Sequence, residues 1–363
     1  MSALPPEVVD LVIDNLHDQP AALRVCSLVC RNWLAASRYH LYSEVYVSGS
    51  NLISFIHLTG HQHESLSSRL RSLHATRFLS DQLETLWPLL AEFPQLRGLH
   101  LHGPLEFGTT IDEPLPLVTS LSLTRVSFVS HEVLKSLLLR FPALQVLSLN
   151  CGFRGPGDLP GDSPTPPNLQ RLNIALTADM LGWLAWSKFC LRAECIDIDV
   201  SRPPTAGLED YFKVLGNQLK RLTLRFDIPG TLAIFSERPF LQHNTALLSL
   251  RMTNAFSIRV EGVICVAPGL ERLLQHLQSS TTTLEELIFT VTLSPGWSPS
   301  PPNRVARILD NWGVATKLQK LEFFGPWDRA DDVLRQQFCT AVYALVPLLH
   351  SRGIISVGTH KFV

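Results

Sequence analysis

The feature that most limits what this chain can fold into is a repeated apolar triplet, apolar-x-x-apolar-x-apolar. It occurs at Leu96/Leu99/Leu101, Val118/Leu121/Leu123, Leu144/Leu147/Leu149, Leu169/Leu172/Ile174 and Ala193/Ile196/Ile198. It continues at Leu219/Leu222/Leu224, Leu247/Leu250/Met252, Leu284/Leu287/Phe289 and Leu318/Leu321/Phe323, with weaker copies at Leu70/Leu73/Ala75 and Ile354/Val357. The alternation at the end of each triplet reads as a short strand with every second side chain inward. Such a strand cannot bury its apolar face alone, so neighbouring copies must stack. Between copies the apolar spacing turns helical. Ser130 is placed to cap a helix carrying Val133, Leu134, Leu137, Leu138 and Phe141 on one face, and Leu270, Leu273, Leu274 and Leu277 form a similar stripe. Further return helices are predicted over 83–93, 181–189, 208–215 and 305–312, and a longer one over 330–349 that caps the open end. Strands alternating with helices predict an α/β fold with a parallel sheet and right-handed crossovers.

The two clearest copies, EFPQLRGLHLHG and RFPALQVLSLNCG, share Phe-Pro before the first leucine. The pattern resembles leucine-rich repeats, whose period is about 20 to 29 residues, and the spacing lengthens after Leu247. The resemblance departs at one position. Where the standard repeat has Asn or Cys, three residues beyond the last strand leucine, this chain has Pro104, Val126, Gly152, Thr177, Ser201, Asp227, Ala255, Thr292 and Pro326. Without an asparagine ladder the expected solenoid is an irregular arc.

The first forty or so residues are of another kind. Val8, Val9, Leu11, Val12, Ile13 and Leu16 cover more than the stripe one core needs, so this helix has two apolar neighbours, one of them outside this sequence. Shorter helical runs follow at Ala21, Ala22, Leu23, Val25 and Cys26, and at Leu28, Val29, Trp33 and Leu34. With Leu4, Pro5 and Glu7 before them, the series Leu28-Val29-Cys30-Arg31 with Trp33 within them, and Leu41-Tyr42 after, the segment resembles the F-box motif of fungal F-box proteins with leucine-rich repeats. The resemblance implies a three-helix F-box over 1–45 and a repeat solenoid over 46–363. It implies docking onto the Skp adaptor, and through it cullin, by Leu4, Pro5, Val8, Val12, Leu16, Val29, Cys30 and Trp33. The function it implies is that of a substrate-recognition adaptor of a Skp/cullin/F-box ubiquitin ligase. The alternative is a leucine-rich interaction scaffold that binds the Skp adaptor without a ligase role.

Substrate capture would fall to the outward residues of the strands and to loops. If the leucines point in, Arg221, Arg225 and Arg251 point out on neighbouring strands, with Asp199 beside Arg225 and Asp197 separated from Arg251 by Thr223. Arginine forks suit carboxylate or phosphate groups. Two Pro/Gly/Ser-rich stretches, Arg154 to Asn168 and Ser294 to Asn303, read as surface loops, and Trp297, stranded between prolines, is the second candidate contact.

Other classes are poorly supported. A net charge of -1 gives no electrostatic footprint for a nucleic-acid partner. The seven cysteines include no C-x-x-C pair, so neither a zinc site nor a disulfide framework is expected, and the thiols read as reduced and mostly buried. Pro5, Pro6 and Glu7 do not suit a signal peptide, and the longest apolar run, Ala341 to Leu349, is too short to span a bilayer. A soluble, cytoplasmic or nuclear protein without membrane association is expected. No phosphate cradle or nucleophile motif is present, so no enzyme and no cofactor are expected. His57, His61, His63 and Glu64 fit a polar loop better than a metal site.

Overall fold

Two prolines set the first helices. Pro6 and Pro20 occupy first-turn positions, where a helix has no use for the missing N–H, and open α1 (Pro6–Asp14) and α2 (Pro20–Cys26). The third helix, α3 (Arg31–Leu41), starts after Cys30, whose backbone is extended. The computed structural model describes residues 5–60, 67–78, 80–108, 113–154, 168–175, 180, 184, 193–200, 206–226, 229–258, 263–280, 283–293, 302–315, 317–325 and 332–359. Val9 and Ile13 of α1 close a small core with Leu23 and Cys26 of α2, and Leu16, Trp33, Ala36 and Leu41 pack against it. His40 Nε2 lies 2.8 Å from Asp14 Oδ1, which ties α3 back to α1.

The chain divides into two compact units, residues 1–156 with 166–168, and residues 157–165 with 169–363. The first unit holds α1–α3 followed by β1 (Glu44–Ser48), α4 (Leu52–Gly60), β2 (Ser72–Thr76), α5 (Ser80–Ala91), β3 (Gly98–Phe107), β4 (Ser120–Phe128), α6 (His131–Leu138) and β5 (Val146–Phe153). Strands β1 to β5 pair in parallel and in chain order. The expected boundary at residue 45 falls inside β1.

The second unit runs β6 (Arg171–Ala175), β7 (Cys195–Asp199), α7 (Ala206–Leu215), β8 (Arg221–Arg225), α8 (Pro229–Phe235), β9 (Ser249–Ile258) and β10 (Ile264–Val266). It continues with α9 (Leu270–Ser280), β11 (Glu286–Leu293), α10 (Pro302–Ala315), β12 (Lys320–Gly325), α11 (Asp332–Leu345), α12 (Pro347–Ser351) and β13 (Ile355–Thr359). Its ladder is parallel from β6 through β9 to β11, β12 and β13. The short β10 folds back antiparallel on the end of β9.

The α/β class with parallel strands and helical returns is therefore observed. The triplets place the strand faces as expected, for all three apolar positions are buried in every strong copy and in Leu70/Leu73/Ala75. They stack in register, Leu73 on Leu99, Leu121 and Leu147, and Leu172 on Ile196, Leu222, Leu250, Leu287 and Leu321. Burial at about 1.5–3 kcal/mol per large aliphatic side chain makes these columns a main source of stability.

Irregularity enters at the carboxyl ends of the strands. The register shifts between His102 and Leu105 and between Thr124 and Val126, where Arg125 has a left-handed φ of 59°. A side chain at Gly103, φ 140°, would meet the Arg77 amide nitrogen at 3.1 Å. In β9 the turn is made by Asn254, φ 57°, whose side-chain amide donates to the Phe226 carbonyl. Next to it the Thr253 hydroxyl oxygen accepts the Phe226 N–H at 3.2 Å. This one pair of side chains satisfies the turn backbone of the neighbouring strand.

Other expectations need correction. Helices form near 83–93, 208–215 and 305–312, whereas the one expected over 181–189 lies outside the described residues except for Leu184. Ser130 precedes α6 but makes no side-chain capping bond. The helix expected over 330–349 is two, because Pro347 cannot donate its amide and starts α12 afresh after Val346, whose φ is -129°. The chain then continues into β13, so a strand stands at the edge of the ladder where a capping helix was expected.

Candidate functional site

The first candidate surface is the outside of α1–α3. Helix α1 turns Val9 and Ile13 inward and leaves Leu11 on the opposite side, with Val8 and Val12 on the flank, exposed, Leu11 at 64%. Val25 on α2 and Leu28 and Val29 in the α2–α3 turn are exposed as well, Leu28 at 85%. A unit that has already closed a core thus keeps a second set of large apolar side chains in water, which marks interaction sites when they adjoin.

The residues named from the F-box resemblance divide between these roles. Pro5, Val8, Val12, Val29 and Cys30 are exposed, whereas Leu16 and Trp33 are half-buried against the core cluster. Leu4 lies outside the described residues. Leu11, Val25 and Leu28 are the additions. Leu11 was legible in the sequence as one of too many apolar positions for one face.

The second candidate surface is the outward row of the strands. In the second unit the register sets Asp199 beside Arg225 and Asp197 beside Thr223, which in turn lies beside Arg251. Arg225 reaches diagonally to Asp197, Nη2 to Oδ2 4.0 Å, and the Arg251 guanidinium lies over the Phe324 ring, 5.6 Å from its centroid. Arg221 is exposed and has no ion-pair partner among the described residues. Of the three arginines expected to act together, two are engaged within the protein. Trp297 lies outside the described residues, as do 155–167 of the first Pro-rich loop.

In the first unit the outward row contains a feature that the sequence reading missed. Tyr46, His74 and His100 occupy one register row on β1, β2 and β3. Their rings form a continuous stack, Tyr46 on His74 at 4.4 Å and 16°, His74 on His100 at 4.2 Å and 7°. Glu44 anchors one end, its Oε1 accepting the Tyr46 hydroxyl at 2.9 Å and lying 2.7 Å from His74 Nε2. That bond to Glu44 is the main cause holding the Tyr46 pKa above its usual value. His100 is shifted below the usual histidine value, first by burial and then by the charge of His74, with Glu44 opposing. The signal was present as the middle x of Val-Tyr-Val, Leu-His-Ala and Leu-His-Leu, legible once the copies are aligned on their strands.

Nearby, Arg71 donates to the Tyr39 hydroxyl at 2.5 Å while Arg69 and Arg71 both lie over the Tyr39 ring, joining α3 to the start of β2. His61, His63 and Glu64 lie outside the described residues, and among the described residues no three His, Cys, Asp or Glu side chains are grouped to hold a metal. An apolar recess lined by Phe256, Ile264, Val305, Leu309, Phe323 and Val346 offers no polar side chain to orient a ligand. No helix among the described residues is long and apolar enough to cross a membrane.

Compared with known proteins, the chain matches no family model, and no curated protein matches it.

Proposed function

We propose that this chain is a substrate-recognition adaptor of a Skp/cullin/F-box ubiquitin ligase. In this reading α1–α3 form an F-box-type unit that docks on the Skp adaptor, the strands form irregular leucine-rich repeats, and their outward faces capture a protein for ubiquitination. The chain itself performs no chemistry; it brings substrate and ligase together.

The observation that carries the reading is the second apolar surface of α1–α3. Leu11, Val25 and Leu28 are more than half exposed although Val9, Ile13, Leu23 and Cys26 have closed a core beside them. Leaving such side chains in water costs about 1.5–3 kcal/mol each relative to burial, so a partner that covers them gains the hydrophobic contribution the fold itself forgoes. The ordered match of Pro5, Leu16, Val29, Cys30 and Trp33 to the F-box pattern supports the Skp adaptor as that partner.

Capture of the full-length chain from cells tests it. The Skp adaptor and cullin are expected to co-purify, and Leu28→Glu with Leu11→Glu is expected to lose both while the fold is kept. Adaptor without cullin would favour the interaction scaffold, and neither partner would defeat the proposal.

A further inference from the structure

The stack on β1–β3 stops abruptly. One face of the His100 ring rests on His74, and among the described residues the other has no ring contact. Its register neighbours on that side are Ser122 on β4 and Ser148 on β5. Strands stand about 4.7–4.9 Å apart, close to the spacing of stacked rings, so a further ring in this column would lie above Ser122. Serine leaves that place empty.

The floor of the step is built of polar groups with spare bonding capacity. The side chains of Ser120, Ser122, Thr124 and Asn150 make no hydrogen bond among the described residues, and all are at least partly exposed. The far end of the column differs, for among the described residues Tyr46 stands on the edge strand with no further strand beyond it to act as a floor.

We infer that the open face of His100, with the Ser122 shelf beside it, is a stacking site for a tyrosine or tryptophan side chain delivered by a protein partner. Three observations select this occupant. The column is aromatic, and a ring that continues it gains the offset-stacking contribution. The shelf offers hydroxyl and amide groups to a ring with a polar edge, as a phenol or indole has. The place is a step on an open sheet face that covers a ring on two sides only, so a lone ring binds weakly there, whereas most of a tightly bound ligand's surface is usually enclosed. A side chain held by its own polypeptide needs no such enclosure.

A nucleic-acid base would use the same ring face but needs a cationic track for its backbone. Ahead of the register shifts, the outward positions of β1 to β5 are Glu44, Tyr46 and Ser48; Ser72, His74 and Thr76; Gly98, His100 and His102; Ser120, Ser122 and Thr124; Val146, Ser148 and Asn150. No lysine or arginine is among them, the exposed Arg125 of β4 lying beyond them at the register shift, and the charge in contact with the stack is the carboxylate of Glu44. Tyr/Ser/Asn surfaces of this composition suit protein recognition, where rigid rings give contact area and small polar groups adapt. The inference deepens the capture half of the proposed function and does not depend on the adaptor half.

The test is a titration of the intact chain with N-acetyl-tyrosinamide and N-acetyl-tryptophanamide, followed by the imidazole carbon–proton resonances in NMR. A saturable ring-current shift is expected at His100, with His131 and His276 unmoved. His100→Phe keeps the ring and is expected to keep the affinity. His100→Ala, and Ser122→Trp, which fills the step from within, are each expected to weaken binding about three- to tenfold. Absence of a saturable shift, or binding that Ser122→Trp leaves unchanged, overturns the inference. Stronger binding of uridine monophosphate than of either amide would replace the protein side chain by a base and overturn it equally. None of these variants touches α1–α3, so co-purification of the Skp adaptor reports separately on the proposed function.

Discussion

Ile13 is sealed from solvent while Leu11, two residues earlier on the same helix, is 64% exposed. The two leave α1 on different sides, one into the core with Leu23 and Cys26, the other into water. Stability and binding should therefore separate on one helix. Ile13→Ala is expected to lower stability by about 2–5 kcal/mol, whereas Leu11→Glu should stay within about 0.5 kcal/mol and abolish adaptor capture. Urea melts paired with pull-down read both; equal destabilisation by the two changes would mean that Leu11 belongs to the fold.

The same logic applies to the strands. Leu147 is fully buried in the column formed by Leu121 and Leu99, while Ser122 faces outward one position after Leu121. Leu147→Ala should cost about 2–5 kcal/mol and Ser122→Ala no more than about 0.5 kcal/mol in denaturant unfolding. Similar costs at both sites would contradict the assignment of inner and outer faces.

Acid should weaken the first unit through His100. Its folded pKa lies below the ordinary value of 6.5, so between the two values the unfolded chain binds the extra proton. Stability then falls as pH drops through 6.5 towards the lowered value, and this contribution is wholly lost below it. His100→Phe keeps a stacked ring without the titration. Urea midpoints measured across mildly acidic pH should decline less in the variant; parallel curves would show that His100 does not carry the effect.

Cysteine reactivity should follow burial. Cys30 is exposed, whereas Cys151 is buried on β5 and its thiol is pushed up to about 12. Since the thiolate is the reactive form, iodoacetamide at neutral pH should label Cys30 in the native chain and reach Cys151 only after unfolding. Peptide mapping by mass spectrometry decides it, and rapid native labelling of Cys151 would contradict the burial of β5. The thiols are less uniformly enclosed than composition alone led us to expect: Cys26, Cys151 and Cys265 are buried, but Cys195 and Cys339 are half-exposed.

Much of the fold was legible because the Leu-x-x-Leu-x-Leu triplet encodes both a strand and its inner face. Where the triplet is incomplete, legibility fails. Val45 and Val47 supply only the alternating end, so β1 went unread, and His57, expected in a polar loop, lies instead on the helix that follows, Leu52–Gly60. The left-handed turns at Arg77 and Arg125 have no local signature, since neither is a residue type that favours that conformation, whereas Asn254 is one that does. The arginine row shows a different limit. Register could be counted from the leucines, but the diagonal reach of Arg225 to Asp197 and the seat of Arg251 on Phe324 depend on side-chain length and rotamer. The aromatic column was missed because it runs across the strands, in a direction that no single segment of sequence displays.

Within each unit the parallel strands pair only with the next along the ladder, Leu73 finding Leu99 and Leu99 finding Leu121, a single repeat further on each time. A newly made strand therefore has its docking edge waiting as soon as its own repeat leaves the ribosome, and never has to search the rest of the polypeptide. Contacts this local favour fast, stepwise growth over the slow search usual for parallel sheets. They also isolate error: lengthening one return segment delays one docking step and leaves every other rung with the partner it had.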